Sequence, residues 1–223
     1  MIITLFKEKN LYDVAQHYIL PHFHQLSLSM CIYHYSDIEI ITTHPDYNNC
    51  KYEVMKCSSC WGCLELLRHL VEKEHLVPDN FIFTLACING HLPLVQYLCR
   101  HVPFDELYCN DDENTVSLIA MVVEVGELSI LEYLVEQGVH DFNDVFRVQP
   151  HEHNIDAFKY LVGCGMNKDR LLGYVCWYKC WELALYLVDE GANIYTIFVD
   201  KTPIEWAMVA GRGDIFSLLS NSD

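Results

Sequence analysis

Four cysteines in the first third of the chain have the chemistry to bind a metal ion. They are Cys50, Cys57, Cys60 and Cys63, separated by six, two and two residues. Four thiolates can hold a structural zinc ion, and a C-x2-C pair is the commonest half of such a site. The usual zinc site, however, has two such pairs separated by a longer span. We therefore favour buried free thiols, since cysteine is otherwise a small buried hydrophobe, and keep a zinc module as the alternative.

The sequence contains none of the common catalytic motifs. It lacks the G-x-S-x-G nucleophile turn, the P-loop, the dinucleotide-binding glycine pattern and the H-E-x-x-H motif. Its 11 cysteines and 12 histidines would produce a Cys–His pair by chance, so such a pair is uninformative without geometry. We expect a non-enzymatic protein without a cofactor, unless the cysteines hold zinc. A divergent Cys–His enzyme is the further alternative.

The elements that would position these side chains are short helices that recur along the chain. In the stretch Asn89–Leu98, a glycine turn is followed by a proline at a helix start and by apolar residues at helical spacing. A helix of two or three turns is marginal by itself and needs neighbours. The turn residues of this stretch and of five similar ones are Gly62, Gly90, Gly126, His153, Lys179 and Gly211. Successive turn residues are 28, 36, 27, 26 and 32 positions apart. A loose period of about thirty residues predicts stacked helix pairs.

Two segments of the chain carry a family resemblance. Thr202–Ala207 (TPIEWA) matches the T-P-L-H-x-A opening of an ankyrin repeat, and Asp189–Ile194 resembles the loop after its second helix. The sequence thus resembles an ankyrin-repeat protein, and its eroded repeats are similar in style to those of large DNA viruses and intracellular pathogens. It departs from the pattern where His153 and Lys179 replace the turn glycine, and where Ser117 takes the threonine position.

The resemblance implies an all-α, ankyrin-like helical-repeat solenoid with short hairpin turns and about five to six irregular units. We expect residues 58–223 to form the repeat domain. Residues 1–57 would form a degenerate N-terminal capping segment, because a terminal repeat has only one neighbour. In the first helix of the second full pair, Phe81, Leu85 and Ala86 are expected to face inward.

The same resemblance implies that a partner protein binds to the concave face of the first helices and to the hairpin tips. Exposed aromatic residues are typical anchors of such interfaces, and 13% of this chain is aromatic. The candidate contact residues are Tyr108, Asn110, Asp111, Asp112, Glu113, Trp177, Tyr178, Tyr195, Phe198, Asp200, Lys201 and Trp206. Packing between repeats is the alternative for each aromatic side chain.

The charge balance restricts the partners. With 31 acidic and 14 basic residues, the chain has a net charge of −17, so it repels nucleic acids and anionic membrane surfaces. We expect a scaffold or adaptor for a protein with a basic or mixed surface, and a host protein if the source is a virus or intracellular pathogen. The odd number of cysteines, with no signal-peptide pattern and no long apolar run, predicts a cytoplasmic or nuclear protein that is not secreted. The oligomeric state is left open.

Overall fold

The computed structural model describes Leu28, Ile32, residues 38–101 and residues 117–212. The chain forms two compact units, Met1–Asp111 and Asp112–Asp223. Their described parts are helical, and the strand-like pairing found there is an isolated antiparallel bridge between Phe198 and Lys201. None of the described helices is long and apolar enough to cross a membrane. The predicted all-α class is confirmed.

The first unit contains two helix pairs, preceded by a short helix. Its helices are α1 (Ile38–Thr42), α2 (Lys51–Trp61), α3 (Leu64–Glu72), α4 (Asn80–Ile88) and α5 (Leu92–Leu98). A 3-10 turn at Tyr47–Asn49 lies between α1 and α2. The Asp79 carboxylate caps α4 by accepting a hydrogen bond from the Ile82 N–H (3.0 Å). Pro93 lies in the first turn of α5, where its missing N–H costs nothing. The predicted boundary between residues 57 and 58 falls inside α2.

The second unit continues the same arrangement with one irregular pair. Its helices are α6 (Leu118–Val125), α7 (Leu128–Glu136), α8 (Ile155–Gly163), α9 (Lys168–Trp177), α10 (Trp181–Asp189) and α11 (Pro203–Val209). Short 3-10 turns at Asn143–Arg147 and Glu152–Asn154 stand where the fourth pair would have its first helix. Thr202 begins α11 with a reciprocal capping box to Glu205, and Ser117 takes the same position at the start of α6.

The backbone is left-handed at almost every predicted turn residue. Four glycines have a positive φ: 69° at Gly62, 78° at Gly90, 78° at Gly126 and 71° at Gly211. Lys179 adopts the same conformation with a φ of 63°, although a side chain is disfavoured there. His153 differs because it lies in the 3-10 turn Glu152–Asn154.

Each helix buries the apolar face of its sequence pattern. In α4 the buried residues are Ile82, Phe83, Ala86 and Cys87. The inward orientation predicted for Ala86 is confirmed, whereas the prediction for Phe81 is wrong, since that side chain is half exposed. The buried face of α4 begins at Ile82, one residue later than predicted. Phe81 and the partly buried Leu85 therefore lie at its edge.

Candidate partner-binding site

The predicted zinc ligands are not gathered into a metal site. Among the described residues, no three His, Cys, Asp or Glu side chains are placed to hold a metal ion together. The four candidates are partly buried thiols outside any disulfide: Cys50, Cys57, Cys60 and Cys63. Burial raises the pKa of Cys57 and of Cys60, as expected for thiols in apolar surroundings. The zinc alternative therefore has no geometric support in this part of the chain.

Four aromatic rings from successive repeats pack together in the second unit. We call Tyr174, Trp177, Tyr178 and Phe198 the aromatic cluster. The Phe198 ring centroid lies 5.6 Å from that of Tyr174 and 5.8 Å from that of Trp177. The Trp177 and Tyr178 centroids are 4.9 Å apart. These separations are in the range that aromatic pairs favour, so the rings hold one another in place.

The inner side of the aromatic cluster is fixed to the fold. The Tyr174 hydroxyl donates a hydrogen bond to the Val148 carbonyl (3.1 Å), and burial, together with Tyr178, raises the pKa of Tyr174. Gly173, its neighbour in α9, leaves room for Phe198. A Cβ atom at Gly173 would lie only 2.3 Å from the Phe198 Cβ. The cluster thus depends on a glycine inside a helix.

The outer side of the same region exposes apolar side chains. We call residues 195–201, the loop that carries Phe198, the hairpin tip. Trp177 is 43% exposed, Tyr195 59%, and Ile197 and Val199 70% each. Isolated exposed apolar residues are ordinary on protein surfaces, whereas a group of them is typical of an interaction surface.

The backbone of the hairpin tip is strained at Val199. The Phe198 N–H donates to the Lys201 carbonyl (2.9 Å) and closes a turn with two central residues. Val199, the first of them, has a φ of 63°, which is rare for a β-branched residue. Hairpins favour glycine at such positions. Strain of this kind is common at functional sites, so Val199 is a candidate contact residue.

Trp206 supports the hairpin tip rather than projecting from it. Its indole Nε1 donates to the Phe198 carbonyl (3.4 Å), and the Lys201 Nζ lies 4.7 Å from its ring centre. Lys201 also pairs with Asp200 (2.6 Å). Trp206 is only partly exposed, so its indole packs from beneath while the tip stays accessible.

Seven of the predicted contact residues lie in or beside this region. They are Trp177, Tyr178, Tyr195, Phe198, Asp200, Lys201 and Trp206. The other five fall outside the residues that the structure describes: Tyr108, Asn110, Asp111, Asp112 and Glu113. The sequence analysis missed Ile197, although a β-branched residue near a predicted hairpin tip was a usable signal. It also missed Gly173, whose role depends on a contact 25 positions along the chain.

The first unit exposes large apolar residues of its own, which the sequence analysis did not propose as contact residues. They are Tyr52, Trp61, Val77 and Phe81. The Tyr52 hydroxyl donates to the Asp79 carboxylate (2.7 Å), and the Lys56 Nζ lies 5.7 Å from the Phe81 ring centre. These contacts engage two of the three exposed rings with charged side chains. In the second unit, the exposed Trp177 belongs to the aromatic cluster and Val199 lies next to it in the chain, so that unit is the stronger candidate for the interface.

No model of a known protein family matches this sequence, and no curated protein is significantly similar to it. Among solved structures, the crystal structure of the human ASB11 ankyrin repeat domain resembles this chain, with a TM-score of 0.58 and 17% sequence identity. The similarity covers 75% of this chain and 82% of that chain. At this identity it establishes the fold alone: the chain is an all-α repeat protein with an ankyrin-like fold, as predicted.

Proposed function

We propose that this chain is a non-enzymatic scaffold or adaptor, and that a partner protein docks on the aromatic cluster and the hairpin tip. The observation that carries this proposal is the exposure of Trp177, Ile197 and Val199 beside rings that are fixed to the fold. Aromatic and apolar side chains on a rigid base are common anchors of protein interfaces. The ankyrin-like fold supports the proposal, because stacked repeats create extended binding surfaces.

Charge favours a partner with a basic or mixed surface. The chain carries a net charge of −17, and the carboxylates of Asp200 and Glu205 are exposed in and beside the hairpin tip. The nearby cation of Lys201 is paired with Asp200. Attraction between opposite charges would speed the encounter and make it sensitive to salt. If the source is a virus or an intracellular pathogen, the partner would be a host protein.

The thiols support a non-enzymatic role in a reducing compartment such as the cytoplasm or nucleus. None of the nine cysteines that the structure describes forms a disulfide, as is usual where thiols are kept reduced. Burial raises the pKa of Cys57, Cys60 and Cys180. A nucleophilic cysteine needs the opposite shift, so these residues favour a scaffold over a divergent Cys–His enzyme.

The test is partner capture followed by reconstitution. Proteins retained by the immobilised chain from host-cell lysates, at low and moderate salt, are identified by mass spectrometry, and the most enriched one is purified. Trp177→Ala and Val199→Ser should each raise its Kd by about tenfold, the effect expected when an interface anchor is truncated. Val77→Ser is the matched control, because Val77 is a valine of the first unit that is 83% exposed.

Each alternative outcome has a defined meaning. If the purified partner binds both variants as tightly as the wild type, the interface lies outside the aromatic cluster and the hairpin tip. If Val77→Ser is the variant that fails, the first unit carries the interface. If the wild-type chain retains no protein at either salt concentration, the scaffold proposal fails.

A further inference from the structure

The backbone of the hairpin tip pairs along its inner edge. The Phe198 N–H donates to the Lys201 carbonyl (2.9 Å), and the Phe198 carbonyl accepts a hydrogen bond from the Lys201 N–H (3.3 Å). The same carbonyl also accepts from the Trp206 indole (3.4 Å). Phe198 and Lys201 thus form the isolated antiparallel bridge. Neighbouring residues of a strand direct their N–H and C=O groups to opposite edges, so those of Ile197 point away from this bridge.

The backbone groups of Ile197 are left without partners. Within the described residues, neither its N–H nor its C=O takes part in a hydrogen bond. Its side chain is mostly exposed. Unpaired N–H and C=O groups at the edge of a strand are a template for pairing with another chain. We call Ile197, together with the exposed residues Tyr195 and Val199 on either side of it, the outer edge.

The side chains that lead up to the turn alternate as those of a strand do. Tyr195 and Ile197 are exposed, whereas Ile194 is buried and Thr196 and Phe198 are partly buried. Successive side chains of a strand point to opposite faces, so the exposed side of this segment is an uncharged row. Natural proteins usually protect an exposed edge with lysine or proline, and residues 195–199 contain neither.

We propose that a segment of the partner protein binds to the outer edge as an added β-strand, an inference that rests on the scaffold function proposed above. The backbone selects this class of partner. A helix has already paired its N–H and C=O groups along its length, whereas an extended segment can donate to the Ile197 carbonyl and accept from its N–H. Alternate side chains of that segment would lie beside Tyr195 and Ile197. The uncharged row favours β-branched or aromatic side chains there.

The test uses the free protein and a short peptide that favours the extended conformation. The probe is acetyl-Lys-Thr-Val-Thr-Val-Thr-Lys-amide, and NMR spectra of the ¹⁵N-labelled chain report its binding. The Ile197 amide signal should shift in a saturable manner and its hydrogen–deuterium exchange should slow, with a Kd on the order of millimolar for a few hydrogen bonds. The same peptide, N-methylated at its five central residues, has no N–H to donate from that stretch and should not bind.

A change in the protein backbone separates strand pairing from apolar attraction. Replacing Ile197 with its α-hydroxy acid exchanges the N–H for an ester oxygen and keeps the side chain. The Kd of the peptide should rise by about three- to tenfold, the loss expected for one hydrogen bond. The matched control is the same replacement at Val77, an exposed valine of the first unit whose N–H makes no hydrogen bond within the described residues. It should leave the Kd unchanged. Circular dichroism shows whether each variant is folded.

The inference is overturned if the unmodified peptide does not bind, if the N-methylated peptide binds as tightly, or if the ester at Ile197 leaves the Kd unchanged. It is also overturned if the wild-type chain dimerises in sedimentation experiments and the ester at Ile197 abolishes the dimer, because a second copy would then occupy the outer edge. These results are independent of partner capture. A captured partner that depends on Trp177 but binds the Ile197 ester as tightly as the wild type would remove the added strand and leave the scaffold proposal standing.

Discussion

Phe198 packs directly against the backbone of Gly173. A Cβ atom added to this helical glycine would lie 2.3 Å from the Phe198 Cβ and 3.2 Å from its Cγ. The contact sets how closely the hairpin tip approaches α9. It thereby positions the ring of Phe198 against those of Tyr174 and Trp177.

The first prediction concerns this close approach. Alanine usually stabilises a helix by about 0.5–1 kcal/mol relative to glycine. Gly173→Ala should instead destabilise the protein by about 1–3 kcal/mol, because the added methyl group overpacks the contact with Phe198. Urea unfolding followed by circular dichroism measures the difference. Gly163→Ala is the control: a methyl group added to this glycine of α8 would meet nothing within 4 Å, and the stability of the variant should be unchanged or higher. A Gly173→Ala protein as stable as the wild type would contradict the prediction.

The second prediction separates stability from binding at the hairpin tip. Val199→Gly removes a β-branched side chain at a φ of 63°, so the variant should be more stable than the wild type by about 0.5–1 kcal/mol. Its affinity for the captured partner should fall, because the exposed valine is lost. His75→Gly, at a φ of 57° in the first unit, should gain stability without losing affinity. A Val199→Gly variant less stable than the wild type would show that Val199 is not strained. A variant that binds the partner as tightly as the wild type does would show that Val199 is not a contact residue.

The turns were accessible from the sequence because a single residue determines each of them. Gly62 and Gly126 were recognised as turn residues and have left-handed backbones. Lys179 was placed correctly from the period of the repeats alone, against its own conformational preference. Periodicity could not fix the rotation of α4 about its axis. The predicted buried face was wrong by one position, and Phe81, which was predicted to be buried, is half exposed.

The site itself depends on contacts between repeats, which leave little trace in a local pattern. The contact of Phe198 with Gly173 joins residues 25 positions apart, and either residue alone looks ordinary. The aromatic residues at 177 and 178 were identifiable by type, but only the fold shows that Trp177 is exposed and that both rings pack against other rings.

The third prediction concerns acid stability. Glu205 accepts hydrogen bonds from the N–H and the hydroxyl of Thr202 (2.7 and 2.9 Å). Both bonds lower the pKa of Glu205 below its usual 4.5, and the bond from the backbone N–H has the larger effect. A carboxylate whose pKa is lowered by folding stabilises the protein above its usual pKa, and this contribution is lost as the pH falls through the lowered value. Stability measured between about pH 6 and pH 2 should therefore depend less on pH in Glu205→Gln than in the wild type. Parallel curves would mean that the capping box does not hold the ionised carboxylate.

The fourth prediction concerns thiol reactivity. Burial, and secondarily Cys180, raises the pKa of Cys176 to about 12. Only about one Cys176 in a hundred thousand would then be a thiolate at pH 7. Iodoacetamide, followed by mass spectrometry, should modify Cys176 far more slowly in the folded protein than in urea, and more slowly than the partly exposed Cys60. Rapid and selective modification of any described cysteine would contradict this expectation and restore the Cys–His enzyme as a candidate.

The last prediction tests whether close packing between repeats stabilises the turns beyond their backbone conformation. Gly126 and Gly191 have nearly the same left-handed φ, 78° and 77°. Alanine at either position carries the same backbone penalty of about 1–2 kcal/mol. A Cβ atom at Gly126 would also lie 2.4 Å from the His153 carbonyl oxygen, whereas one at Gly191 meets only the flexible Lys168 side chain at 3.7 Å. Gly126→Ala should therefore lower the free energy of unfolding by about 1–3 kcal/mol more than Gly191→Ala does. Equal losses in urea unfolding would show that the third and fourth pairs can separate slightly at no cost, and the His153 contact would then contribute little to stability.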